Sequence, residues 1–172
     1  ASKINERLDQ LPQNLKGYDA ILFQEAFASG RTAMLAKLAQ EYPYQTYIPV
    51  GSGFNIYDSG ILVASRYPIV KTDHLIYPNC TGTDCFADKG VVYAEILKNG
   101  KAYHVTSTHT ASFDTTAARD LRQQQFKQIR ALVDKQNIPS FDAVLMGGDF
   151  NVNKLLWPQD YAQMLNNLNG TA

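Results

Sequence analysis

The sequence predicts an α/β layered fold with a mixed sheet. Apolar runs of strand length alternate with segments of helical period along the chain. Two neighbouring strand runs flank Lys98-Asn99-Gly100-Lys101, whose Asn-Gly pair suits a type I′ hairpin turn. Helical patterns are interleaved with the strands rather than segregated from them, which favours layers of both kinds around one core.

In chain order, residues 18–25 (YDAILFQE) read as a buried strand ending in polar groups. Ser29 can cap a helix running to about Tyr42, with Met34, Leu35, Leu38 and Tyr42 on one face. Residues 44–50 and 60–65 read as strands. Arg66-Tyr67-Pro68 turns the chain into a third, residues 69–76. A loop with Cys80 and Cys85 follows, then the hairpin of residues 90–97 and 102–108. Asp114 can cap a long helix to about Gln136, its inner face Ala118, Leu121, Gln125, Ile129, Leu132 and Val133. Ile138-Pro139 ends it. Residues 143–148 form the last clear strand, and Pro158 and Asp160 start a helix holding Tyr161, Met164, Leu165 and Leu168.

The 172 residues suit one domain. No run of about 18 apolar residues exists, so no transmembrane helix is expected. The polar N-terminus lacks the apolar core of a signal peptide. Lys and Arg balance Asp and Glu at a formal net charge of zero, and no Lys/Arg cluster suited to clamping phosphates is visible. That argues against nucleic acid as the partner, because binding it usually needs a basic excess. Cys80 and Cys85, five apart, are expected to close a disulfide ring, with two reduced thiols as the alternative. A ring would imply an oxidising compartment.

Three strands end in groups that a core would not choose. They are Gln24-Glu25, Thr108-His109 and Gly148-Asp149-Phe150-Asn151. Strand ends along one sheet edge are a common place for sites in α/β proteins. Each piece also has an ordinary reading: Glu25 as a surface group, Asp149 and Asn151 as a turn. Asp149 and Asn151 share a face if the backbone stays extended, with Phe150 packing behind. His109 and His104 point to opposite faces, so they are expected to differ in role, His104 being structural. Lys154 is read as solvated. The glycines of "MGGDFNVNK" are expected to bring the backbone close to substrate and metal. Together Glu25, His109, Asp149 and Asn151 offer hard oxygen ligands for Mg²⁺ and donors for phosphate, the parts of a metal-assisted phosphoester hydrolase.

"ILFQEAF", "STHT" and "GGDFNVNK", in this order, resemble the endonuclease/exonuclease/phosphatase superfamily of Mg²⁺ phosphodiesterases. "EYPYQTYIPVG", "DSGILVASRYPI", "DKGVVYAEI" after the cysteine loop, and "RQQQFKQI" make the likeness greatest to its bacterial neutral sphingomyelinases, over nearly the whole chain. The resemblance implies a two-sheet α/β sandwich. It implies Glu25 on Mg²⁺, His109 and Asn151 on the scissile phosphate, and Asp149 beside the attacking water. It implies a secreted or periplasmic enzyme acting on sphingomyelin at a membrane surface.

Departures from the family pattern are also legible. An early strand ending in Asn is missing, and no His follows residue 109, so the general-base Asp-His motif is missing too. Residues 1–172 are therefore expected to form one domain that lacks its N-terminal strand and C-terminal part, and to be inactive alone. Asp73-His74, mid-strand, is read as structural. Tyr57-Asp58-Ser59-Gly60 stands where some members have Glu-Asp-Gly-Gly, and Ala28-Ser29 where they have Asp-Asn, so an additional edge metal is not expected. The remaining alternatives are a related nuclease, an inositol-phosphate phosphatase, or a non-catalytic binding module keeping the fold.

Overall fold

The computed structural model describes residues 3–27, 29–53 and 55–172. Leu62, Val63, Ala64 and Ser65 are buried one after another, so this strand carries a layer on each of its faces. Leu62 and Ala64 pack against helices, while Ile61 and Val63 pack against a second sheet. The result is two sheets face to face with helices outside both, the two-sheet α/β sandwich the resemblance implies.

The elements are α1 (Lys3–Asn14), β1 (Ala20–Phe23), α2 (Arg31–Leu38), β2 (Tyr44–Gln45), β3 (Leu62–Ser65), β4 (Ile69–Ile76), β5 (Gly90–Lys98), β6 (Lys101–His109), α3 (Thr116–Asp134), β7 (Ala143–Asp149) and α4 (Pro158–Leu168). A short 3-10 turn, Gly82–Phe86, precedes β5. One sheet has the order β1-β3-β2, the other β4-β5-β6-β7. The β5–β6 hairpin turns at Asn99 and Gly100, both with positive φ as a type I′ turn demands. β7 returns parallel to β6 after the crossover through α3, which sets His109 opposite Asp149.

Helices α1 and α2 cover the first sheet through Leu8, Leu11, Met34 and Leu38. Helices α3 and α4 cover the second through Phe126, Ile129, Met164 and Leu168. The two sheets share Ile61, Val63, Val92, Ala94, Ile96 and Val105. Cys80 and Cys85 form the expected disulfide.

Several local expectations are corrected. Thr115, not Asp114, caps α3, its side chain accepting from the Ala118 N–H. Asp114 instead pairs with the buried Arg122, at 3.1 Å. Gly30 rather than Ser29 occupies the cap of α2, which ends at Leu38. The strand expected over residues 44–50 is only Tyr44–Gln45. Beyond it Thr46 still bonds Val63 through its N–H and its hydroxyl, and then the chain departs. Among the described residues no helix is long and apolar enough to cross a membrane.

Candidate active site

β1, β6 and β7 bring their C-terminal ends to one edge of the sandwich. The two sheets are tied there by side chains: Gln24 Nε2 donates to Ser107 Oγ at 2.9 Å, and Ser107 Oγ donates to the Phe23 carbonyl at 3.1 Å. Just past these bonds stand the four residues singled out in the sequence. Glu25 Oε1 lies 3.8 Å from His109 Nε2. His109 is the register partner of Asp149. Thr110 N–H donates to the Asp149 carbonyl at 3.1 Å, and Asn151 Nδ2 donates to the Thr110 carbonyl at 3.0 Å.

The extended, alternating backbone lasts through Asp149 and then ends. Asn151 has φ 50° rather than an extended conformation, and its N–H bonds Asp149 Oδ1 at 2.9 Å. The stretch is thus both a turn and part of the cluster. Phe150 does pack behind, 6.0 Å from Phe126 between ring centroids. Asn151 spends one amide N–H on Thr110, leaving its second for a ligand. Glu25 too is left-handed, at φ 55°. For L residues this region costs about 1–2 kcal/mol, so two such residues at one edge are held there by their surroundings.

The two glycines answer to packing. A Cβ on Gly147 would lie 2.5 Å from Leu22 Cδ1, and one on Gly148 2.2 Å from the Thr108 carbonyl oxygen. They let neighbouring strands approach closely, and Gly148 also lines the cavity beside Asp149.

A cation missed in the sequence occupies the centre. Lys89 is buried, and its Nζ donates to Ser112 Oγ at 2.6 Å and to the Thr110 carbonyl at 2.8 Å. It lies 3.1 Å from His109 Nε2 and 3.2 Å from Asp84 Oδ1. The absence of a basic cluster in the sequence therefore did not mean an absence of positive charge at the site. The available signal was a charged residue directly before the apolar run of residues 90–97. Burial pushes the Lys89 ammonium below its usual range, partly offset by the charge of Asp84. Burial, and then the charge of Lys89, hold His109 below 6.5 against the pull of Asp149 and Glu25. Facing the Lys89 ammonium, which has only N–H groups to offer, His109 is the acceptor of their contact through Nε2. Its Nδ1 is buried without a hydrogen-bond partner among the described residues.

His104 faces away from this cluster. It is buried against the Tyr93 ring and lies 3.2 Å from Asp142. Asp73 accepts from Lys135 and Gln136. Asp58 is engaged by Arg31 at 2.9 Å and by the Gly60 N–H. Ala28 lies outside the described residues. Lys154 Nζ sits over the Tyr161 ring, 4.6 Å from its centroid.

Beside the cluster opens a cavity of about 600 Å³ lined by Ser112, Asp114 and residues 148–154. Glu25, Asp84 and Asp149 all act on Lys89 and His109, so carboxylates outnumber ammonium groups here. A phosphodiester would be repelled by that excess unless a cation joined it. Glu25 is exposed at the edge and suits a Mg²⁺ that takes one or two carboxylates and keeps its waters. Among the described residues no group of three or more His, Cys, Asp or Glu is placed to hold a metal ion by itself.

The chain is similar to the phospholipase C of Staphylococcus aureus, 36% identical over 95% of this chain and 55% of that relative. It is similar to the sphingomyelinase C of Listeria ivanovii, 34% identical over 81% of this chain and 47% of that relative. The chain spans about half the length of these curated relatives. Among solved structures, SmcL superposes with a TM-score of 0.88 at 32% identity, over 97% of this chain and 62% of that one. A two-residue variant of the Staphylococcus aureus beta toxin with bound magnesium ions gives 0.86 at 34%, over 98% of this chain and 64% of that one. The model of the Endonuclease/Exonuclease/phosphatase family matches residues 2–170. The chain belongs to the endonuclease/exonuclease/phosphatase family.

Proposed function

We propose that this chain carries most of the catalytic edge of a secreted or periplasmic, Mg²⁺-dependent phosphodiesterase that hydrolyses sphingomyelin to ceramide and phosphocholine. The observation that carries the reading is the convergence of Glu25, His109, Asp149 and Asn151 on one edge of the sandwich around Lys89. Likeness to proteins named sphingomyelinase C supports the substrate, and the disulfide supports an oxidising compartment.

Glu25 would hold the Mg²⁺, which when bound polarises a phosphoryl oxygen. Asp149 orients the attacking water. The water oxygen adds to phosphorus, the bond from phosphorus to the ceramide oxygen breaks, and that oxygen takes a proton. The remaining N–H of Asn151 donates to a phosphoryl oxygen, and Lys89 and His109 face the charge that develops there. Asp149 is the carboxylate that can take the proton of the water. The chain spans about half the length of its curated relatives, so activity is tested on the full-length protein.

The test incubates full-length protein with sphingomyelin, double-stranded DNA and an inositol phosphate, with Mg²⁺ or with EDTA. Phosphocholine release should require Mg²⁺ and fall at least a hundredfold in Asp149→Ala. Cleavage of DNA alone sinks the proposal, and turnover of no substrate favours a binding module.

A further inference from the structure

Two leucines stand at the lip of the active-site cavity. Leu155 is 92% exposed and Leu156 66%. They directly follow Lys154, which lines that cavity with Asp149 and Asn151. Their presentation is built. Asn153 Oδ1 accepts from the N–H of both leucines at 3.1 Å, and Trp157 N–H donates to the Asn153 carbonyl at 2.8 Å. The Arg119 guanidinium lies 3.8 Å from the centre of the Trp157 ring, fixing the end of the turn to α3. The turn is closed on itself while its largest apolar groups point outward.

Other rims of the site continue the pattern. Phe113, between the cavity-lining Ser112 and Asp114, is 42% exposed. Phe86, three residues before Lys89, is 56% exposed, and its carbonyl holds the N–H groups of the exposed Ile56 and Tyr57. Apolar side chains thus project from the same loops that carry Lys89, Ser112 and Asp149.

We propose that the Leu155-Leu156 turn, helped by Phe113 and Phe86, docks the mouth of the site onto the surface of a zwitterionic phospholipid bilayer. The leucines enter the boundary between headgroups and acyl chains, where burial of apolar area drives binding. The Lys154 ammonium sits beside them at the depth of the lipid phosphates and complements their charge. With a net charge of zero the chain has no broad attraction to an anionic surface, so the apolar contact carries the adhesion. The inference rests on the lipid-hydrolase reading for its orientation, because a site that cuts a membrane lipid must face the membrane.

The test uses full-length protein and the double variant Leu155→Ser/Leu156→Ser. Co-sedimentation with phosphatidylcholine vesicles free of sphingomyelin measures docking alone. Hydrolysis of sphingomyelin in vesicles and of the water-soluble bis(p-nitrophenyl) phosphate measures chemistry with and without a membrane. The double variant should bind vesicles roughly tenfold less or weaker still. Its turnover of vesicle substrate should fall in step, with the soluble diester cut as by wild type. Phe141→Ser, 87% exposed beyond the opposite end of β7, should change none of these. Unchanged vesicle binding by the double variant, or no binding by wild type, overturns docking. A joint loss of thermal stability and soluble-diester turnover also overturns it, since the leucines would then pack against the chain itself. Vesicle binding that needs the leucines, in a protein that hydrolyses no lipid, keeps the docking surface and sinks the phosphodiesterase reading.

Discussion

Lys89 shows how a single buried charge can be tolerated and used. Its ammonium meets the Asp84 carboxylate, the Ser112 hydroxyl and the Thr110 carbonyl. The same carbonyl takes the Asn151 amide. Lys89→Met should therefore disturb both charge and alignment. We expect kcat for phosphocholine release to fall by about 10²–10³, the loss seen when one preorganised donor is removed. A rise in KM with kcat unchanged would argue against this role. Gly148→Ala addresses packing instead: with φ 130° and Thr108 backbone in the way, it should lower the melting temperature by roughly 4–10 °C. Differential scanning calorimetry measures this. Glu25, His109, Asp149 and Asn151 were legible because each ends a strand or follows one closely, where polarity is conspicuous. Lys89 was not, because a lysine before a strand reads as solvent-facing until the fold closes Asp84 and Ser112 around it.

Contacts between elements explain what the chain pattern showed and hid. Asp73 on β4 accepts from Lys135 and Gln136, just past the end of α3. Burial pushes its pKa up, but the hydrogen bonds from Lys135, Gln136 and the His74 N–H outweigh it, leaving it below 3.8. A carboxylate depressed in the folded state contributes stability that is complete above pH 3.8 and is lost as the pH falls through its folded value. In thermal melts over this acid range, Asp73→Asn should flatten the decline; an unchanged slope would show that other carboxylates dominate. β3, the β5–β6 hairpin and β7 were plain in sequence because apolar runs and an Asn-Gly turn are local signals. α1 went unread. Its Leu8 and Leu11 recur at helical spacing, but Pro12 and the surrounding polar residues masked the face they offer α2. Arg122 and Phe126 were missed on the inner face of α3, and the burial of Arg122 makes sense only once the Ala111 and Phe113 carbonyls reach it.

At the scale of the molecule, the site straddles the sandwich: Glu25 comes from one sheet, and His109 and Asp149 from the other. Packing between the sheets therefore sets the separation of Glu25 from His109 and Asp149, while packing under the helices sets only stability. Ile61→Ala, between the sheets, and Met34→Ala, under α2, should each cost about 2–5 kcal/mol in denaturant unfolding. Only Ile61→Ala should also lower kcat at a temperature where both variants are folded; equal activity would refute the distinction. The left-handed backbone at Glu25 and Asn151 has a further consequence. In a library covering every position, valine, isoleucine and threonine should be purged from these two sites by folding itself, before chemistry is tested. Glycine and aspartate should pass that filter at both sites and be lost only when activity is selected. The difference between a library sorted for soluble protein and one sorted for turnover would then separate the demands of the main chain from those of the side chain, residue by residue.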